Sequence, residues 1–341
     1  MTVSPASPTP APELAIIVIS YNTREMTVEC LQSVYAETET PFELVVVDNA
    51  STDGSAEAIR AAFPPAAYPN LTLIAEDKNH GFAPAHDIAI PRSSAPWVLL
   101  LNPDTLVKDR ALDNLLAFAK RTPEAGIWGG RTTNGDGTLN PYSCWRKQSL
   151  WSTFCRVSGL TGVFPKSEIF NPEQYGGWDR STERDVDIVT GCLFMMRRQD
   201  WLRLGGFDPA FVMYGEEADL CQRAAAQGMR PRISPEATIV HYGRASENVE
   251  SDRMVRVLRA KSELIHRHFH PATRAAGIAL LQAWPLTRRV ATAVLARLRS
   301  SEEQARRSKT WADIWRRRAE WRNGFGSESR PARTTMRGAE S

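Results

Sequence analysis

Residues 43–63 read ELVVVDNASTDGSAEAIRAAF. The apolar run ends at Asp48, a stretch of turn formers follows, and a helix starts beyond it. Ser51 or Asp53 is placed to cap that helix, because their side-chain oxygens accept its first unpaired amide protons. A strand delivered through a short turn into a helix is the opening of a βαβ unit. The same unit recurs on either side. LAIIVIS (14–20) precedes the helical spacing of TREMTVECLQSVY (23–35), LTLIA (71–75) precedes a helix-like 82–90, and PWVLLLN (96–102) precedes ALDNLLAFAKR. Strands alternating with helices predict an α/β fold with a mostly parallel, Rossmann-like sheet flanked by helices. In such sheets ligands gather outside the carboxyl ends of the strands.

The rest of the chain is less regular. Residues 131–182 are rich in Gly, Pro, Trp and Tyr, which suits a binding surface made of loops. VDIVTGCLFMMRR (186–198) reads as another strand, GEEADLCQRAAAQG (215–228) as a helix closed by Gly228, and RISPEATIVHYG (232–243) as a last strand. After residue 250 the pattern is helical and basic. The division expected is a disordered leader over 1–12, one α/β domain in two halves (13–130 for a nucleotide ligand, 131–248 for the second substrate), a basic helical extension over 249–322 and a disordered tail over 323–341.

Of 341 residues, 42% are hydrophobic and 24% charged, ordinary values for a globular protein. The five cysteines form no CxxC pair, which points away from a zinc site or a disulfide framework and towards a reducing, cytoplasmic compartment. MTVSPASPTPAP has neither a basic start nor an apolar h-region, so it does not read as a signal peptide. The net charge of +3 hides an asymmetry: residues 251–341 hold 20 Lys and Arg against 8 Asp and Glu, while the first 250 hold 22 against 31. An acidic body with a basic tail predicts that the tail meets something anionic.

Polar groups collect at the predicted strand ends. Tyr21 and Asn22 follow the first strand, Asp48 ends the second, Asn79 and Gly81 follow the third, and Asn102 and Asp104 flank Pro103 after the fourth. Each segment alone also reads as an ordinary turn. The repetition favours a ligand site, with Tyr21 stacking on a base and Asp48 reaching a nucleobase or ribose. Asp104 with Asn102 suits a sparse site for a hard cation, Mg²⁺ or Mn²⁺, whose other ligands come from phosphate and water. His241 ends the last strand and is a candidate nitrogen ligand, although a lone His is more often structural. Glu216, Glu217 and Asp219 open a helix. They either complement its dipole or include a carboxylate that takes a proton from an attacking hydroxyl.

Taken together, SYN, VVVDNASTDGS, NHGFA, LNPDT, VTGCLFMMRR, LGGFDPAFVMYGEEADLCQR and VHYGRAS, in this order, resemble the family-2 inverting glycosyltransferases, in particular the bacterial rhamnosyltransferase-like branch that builds cell-surface polysaccharides. The likeness covers roughly residues 13 to 270. It implies a GT-A fold, a nucleotide-sugar donor such as a UDP- or dTDP-sugar, a divalent cation, and a lipid-linked or polysaccharide glycan acceptor. It places Tyr21 and Asp48 at the nucleobase, Asn79 and Gly81 along the donor, and Asn102 and Asp104 at the DxD position. Asp104 and His241 become metal ligands, and the catalytic base falls on Glu216 or Glu217, with Asp219 open as a third choice. Asp87 and Ala89 depart from the Asn and Gly common in relatives.

Two rival readings remain. A nucleotidyltransferase of the same fold needs a Gly-rich phosphate loop after the first strand, which SYNTREM lacks. A non-catalytic nucleotide-sugar or glycan-binding protein would have lost the base or the metal ligand. In the basic extension, Ser301 and Gln304 have capping-box spacing, and Trp311 and Trp315 fall on one helix face among Arg316, Arg317, Arg318 and Arg322. That face predicts either peripheral attachment to the anionic inner surface of the plasma membrane or a helix packed on protein. No nucleic-acid motif is present.

Overall fold

Strand β1 (Leu14–Ser20) is buried along its whole length, because strands pair with it on both sides and side chains cover both faces. The chain continues through α1 (Arg24–Glu37), β2 (Phe42–Asp48), α2 (Ser55–Ala62), β3 (Leu71–Ala75), α3 (Phe82–Ala89) and β4 (Trp97–Leu101). These four strands are parallel, in the order β3-β2-β1-β4. The computed structural model describes residues 11–211, 213–243, 250–298 and 301–326, so the leader before 11 and the tail after 326 lie outside the described residues.

Beyond β4 come β5 (Thr105–Val107), α4 (Ala111–Arg121), β6 (Ile127–Thr133), β7 (Leu139–Asn140), β8 (Cys144–Trp145), α5 (Leu150–Ser158) and α6 (Leu160–Val163). Then follow β9 (Arg184–Asp185), β10 (Ile188–Val189), β11 (Leu193–Arg197), α7 (Arg198–Leu204), α8 (Glu216–Ala225) and β12 (Arg232–His241). The sheet runs on as β4-β11-β6-β12-β5. β11 is antiparallel to both its neighbours, and β12 is parallel to β6 but antiparallel to β5. The first four strands are all parallel, as is the β6–β12 pair, and the whole sheet is mixed. The run 186–198, read as one strand, is two. The chain turns at Gly191–Cys192, and β10 leaves to pair with β8 in a separate small sheet.

Gly130 lets β6 and β12 approach where β12 bulges between Ser234 and Thr238. A Cβ on Gly130 would lie 1.8 Å from the Ala237 carbonyl oxygen. The core beneath joins Leu14, Ile16 and Val18 of β1 to Leu31 and Val34 of α1 and to Leu112, Leu115 and Phe118 of α4.

The chain divides into two compact units, one of Met1–Gln148 with Gly159–Asn248, the other of Ser149–Ser158 with Val249–Ser341. Residues 149–158, expected in the second-substrate half, thus pack with the C-terminal helices. Those are α9 (Glu250–His268), α10 (Pro271–Leu298), α11 (Glu302–Arg316) and α12 (Arg318–Trp321). Their core holds Leu258, Ile265, Leu281, Trp284, Ile314 and Trp321. Ser301 Oγ accepts the Gln304 amide at 3.2 Å, the cap that its spacing predicts. Trp311 and Trp315 are half-buried. They pack against this core, with the Trp311 and Trp284 rings 6.2 Å apart. Arg317 is engaged by Glu320 and Asp252.

Candidate active site

In the first unit a cleft of about 330 Å³ opens at the carboxyl ends of the parallel strands. β1 brings Tyr21 to it, 40% exposed. Asp48 ends β2 opposite Ser20, is buried, and leaves Oδ1 without a hydrogen-bond partner. Asn22 is engaged elsewhere. Its amide donates to Ser51 Oγ at 2.9 Å and its Oδ1 accepts the Thr52 amide at 2.8 Å, fastening the loops after β1 and β2 together. Asp53 Oδ1 accepts the amide of Ser55, the first residue of α2, at 3.1 Å.

Asn49, not singled out from the sequence, orders the donor side. Its amide nitrogen donates to Asn79 Oδ1 at 3.0 Å and to the Gly81 carbonyl at 3.1 Å, and its oxygen accepts the His80 amide at 2.9 Å. Asn79 accepts the Gly81 amide at 2.8 Å, and Gly81 has φ +88°, a left-handed conformation that suits glycine. Asn49, Asn79 and Gly81 all line the cleft. The departures at 86–90 fall behind it. His86 is a buried core residue whose proton affinity burial lowers to about 4, Ala89 is buried, and Asp87 is exposed.

β5 and β12 pair antiparallel with Thr105 opposite His241, and the Tyr242 amide donates to the Asp104 carbonyl at 3.0 Å. This register sets His241 Nε2 3.3 Å from Asp104 Oδ1 and 3.5 Å from Asn102 Nδ2. One ring nitrogen cannot both donate to Asp104 and accept from Asn102, and the carboxylate contact is the shorter. Burial opposes a charge on His241, but the Cys192 sulfur and the Asp104 carboxylate outweigh it and raise the ring's pKa to about 11. A cation here would compete with that proton for the same lone pair. The donor set fits such an ion: an imidazole nitrogen, a carboxylate oxygen and the buried, unpartnered Asn102 Oδ1. Among the described residues no cluster of three or more His, Cys, Asp or Glu groups forms a metal-holding set. Phosphate and water would complete the shell.

Glu216 and Glu217 face the same cleft from the start of α8. Tyr214 at φ +72° and Gly215 at φ +91° turn the chain sharply into the helix, which brings both carboxyls inwards although they are neighbours in sequence. Each leaves its Oε2 buried and unpartnered. Burial and then the charge of Glu217 hold Glu216 well above the usual carboxylate range. Burial raises Glu217 to about 7, and amide groups at the start of α8 pull the other way. Asp219 is not in the cleft. It is buried against Arg223 at 2.7 Å, and Arg223 donates on to the Leu204 and Gly206 carbonyls. Thr190, Gly191 and Cys192 complete the wall. VTGC stands in the sequence as the start of a family motif, but nothing in its residue types marks it as cleft wall.

Fold and cleft define an α/β protein with a polar cleft at its strand ends. Residues 15–201 match the family described as Glycosyl transferase family 2, and residues 181–248 match the N-terminal domain of galactosyltransferase. The chain belongs to glycosyl transferase family 2 and is a glycosyltransferase. It is 28% identical over 244 residues to the N-acetylglucosaminyl-diphospho-decaprenol L-rhamnosyltransferase of Mycobacterium tuberculosis, covering 67% of this chain and 76% of that one. It is 30% identical over 154 residues to the rhamnosyltransferase WbbL of Escherichia coli, covering 43% and 52%. It shares its GT-A-like fold with the mannosyltransferase PcManGT of Pyrobaculum calidifontis, solved with GDP-Man and Mn²⁺, at TM-score 0.55 and 20% identity over 90% of this chain and 86% of that one.

Proposed function

We propose that this chain transfers a sugar, rhamnose from a dTDP-sugar being the first candidate, to a hydroxyl of a lipid-linked glycan with inversion at the anomeric carbon. The observation that carries the reading is the cleft itself. It holds Asp104 and His241 in contact on one wall and, on another, Glu216 and Glu217, each with one buried carboxyl oxygen left unpartnered. Tyr21 and Asp48 take the nucleoside, while Asn79 and Gly81, held by Asn49, line the donor. Asp104 and His241, with Asn102 beside them, hold Mg²⁺ or Mn²⁺. Such an ion offsets the charge that grows on a departing diphosphate.

Glu217 is the base. Burial and the charge of its neighbour hold Glu216 well above the usual carboxylate range, whereas burial raises Glu217 to about 7. A base poised near the working pH is the effective one. Glu217 takes the proton of the acceptor hydroxyl as that oxygen bonds to the anomeric carbon. The bond from that carbon to the donor phosphate breaks on the opposite face. Asp219, committed to Arg223, is left out of the choice. The relatives named rhamnosyltransferases support rhamnose as the sugar, and the name of the Mycobacterium tuberculosis relative supports a polyprenyl-diphosphate-linked acceptor. A polyprenyl-linked acceptor sits in a bilayer, so the reading includes work at a membrane surface.

The test is a panel of nucleotide-sugars with Mn²⁺, read first by thermal shift and then by transfer to a polyprenyl-diphosphate-linked N-acetylglucosamine acceptor. A bound donor stabilises the native state. NMR of the product anomer decides inversion. Stabilisation by no nucleotide-sugar, or a product with the donor's own configuration, ends the proposal.

A further inference from the structure

Helix α10 turns large apolar side chains to opposite sides. Leu281 and Trp284 are buried in the helical core, whereas Leu286, Val290, Val294 and Leu298 are 38%, 56%, 47% and 76% exposed. Four-residue spacing sets them on one face, each about 6 Å further along the axis, so the stripe runs about 18 Å. The helix carries Arg274, Arg288, Arg289 and Arg297 and no Asp or Glu. Arg289 and Arg297 are exposed with the stripe, while Arg288 is tied to the Arg156 carbonyl at 2.6 Å. Helix α5, which packs on α10 through Arg156 and Val157, also exposes Trp151 and Phe154, their rings stacked at 5.6 Å. Among the described residues no helix is long and apolar enough to cross a membrane.

We propose that this face of α10 docks flat on an anionic bilayer, with Leu286, Val290, Val294 and Leu298 at the headgroup boundary and Arg289 and Arg297 on lipid phosphates. An apolar face bordered by arginines suits a helix lying in the interface rather than spanning it. Charge decides between a bilayer and a second copy of the chain. Two such faces pressed together would confront arginine with arginine and offer no acid on α10 to pair them, whereas anionic headgroups supply the missing charge. The inference rests on the lipid-linked acceptor of the proposed reaction. It also moves the contact away from Trp311 and Trp315, which pack against the helical core.

The experiment uses the full chain and vesicles of phosphatidylcholine with and without phosphatidylglycerol. The wild type is expected to pellet with the anionic vesicles and to be released as salt rises. V290D/V294D, altered only at exposed positions, should keep its circular dichroism and its Mn²⁺-dependent dTDP affinity while losing pelleting at least tenfold. R289A/R297A should lower the partition about fivefold per arginine, the equivalent of about 1 kcal/mol each. Wild-type pelleting by V290D/V294D, or equal binding to neutral vesicles, overturns the proposal. A wild-type dimer that V290D/V294D dissociates, with no vesicle binding, also overturns it. Pelleting retained alongside no nucleotide binding upholds the docking face and removes only the transferase reading.

Discussion

Asp104 and His241 meet because a short strand pairs with a distant one, and their contact sets the first prediction. Asp104→Ala should remove the Mn²⁺-dependent gain in nucleotide-diphosphate affinity with little loss of fold, since Asp104 stands in the cleft wall rather than in the apolar core. Calorimetric titration with and without Mn²⁺ checks it, and equal metal dependence in both proteins rules out the assignment. Glu217→Gln should keep donor affinity and lower kcat by about 10²-fold or more, the scale of a general base. The same loss in Glu216→Gln with Glu217→Gln near normal would transfer the role. In the wild type kcat/KM should climb with pH and level off above about 7, as Glu217 loses its proton. Stability runs the other way. Unfolded, Glu217 titrates at its ordinary value, so between there and about 7 the folded protein binds more protons and loses stability as pH rises. Glu217→Gln removes that loss, on the order of 3 kcal/mol. It should therefore melt about 4 °C higher than the wild type at pH 8 and the same at pH 4.

At the scale of elements, the start of α8 aims the carboxyls and its second turn anchors them. Asp219 is 1% exposed as a side chain and its Arg223 partner reaches the loop after α7. Breaking a buried pair leaves an uncompensated charge, so Arg223→Ala should cost about 3 kcal/mol of unfolding free energy by urea titration. Asp219→Asn should lose stability but not the pH profile of kcat/KM. A changed profile would return Asp219 to the chemistry. In β6 the space is set by backbone. Gly130→Ala should destabilise the protein by about 3 kcal/mol, because the Ala237 carbonyl 1.8 Å from the new Cβ cannot move without breaking the β12 bulge.

At the scale of the molecule, α5 belongs to the helical unit though it lies within the sequence of the catalytic one. A chain ending at residue 248 keeps the cleft but strips α5 of α10, including the Arg156 guanidinium stacked 5.0 Å from the Trp284 ring and the Thr287 bond to the Val157 carbonyl. It should bind the dye ANS and aggregate. Replacing residues 149–158 with a Gly/Ser linker in the same shortened chain should restore solubility and nucleotide binding. Equal solubility of the two shortened chains would show that α5 needs no partner.

The sequence alone determined the elements whose pattern is local. Apolar runs ending in turn formers gave β1 to β4 and the helices between them, because strand burial and helix capping are read from neighbouring residues. The motifs also named the strand-end residues, since in a parallel sheet every such end lies on one edge. The tertiary structure alone decided how distant residues share a surface. Strand direction placed β11 antiparallel and His241 against Asp104, through hydrogen bonds between segments that have no sequence contact. Side-chain pairing separated Asp219 from Glu216 and Glu217, three carboxyls that look alike in EEAD. Packing set Trp311 and Trp315 against the helical core and left Leu286, Val290, Val294 and Leu298 outside, because helical spacing defines a face but only the neighbouring helices decide which face is covered.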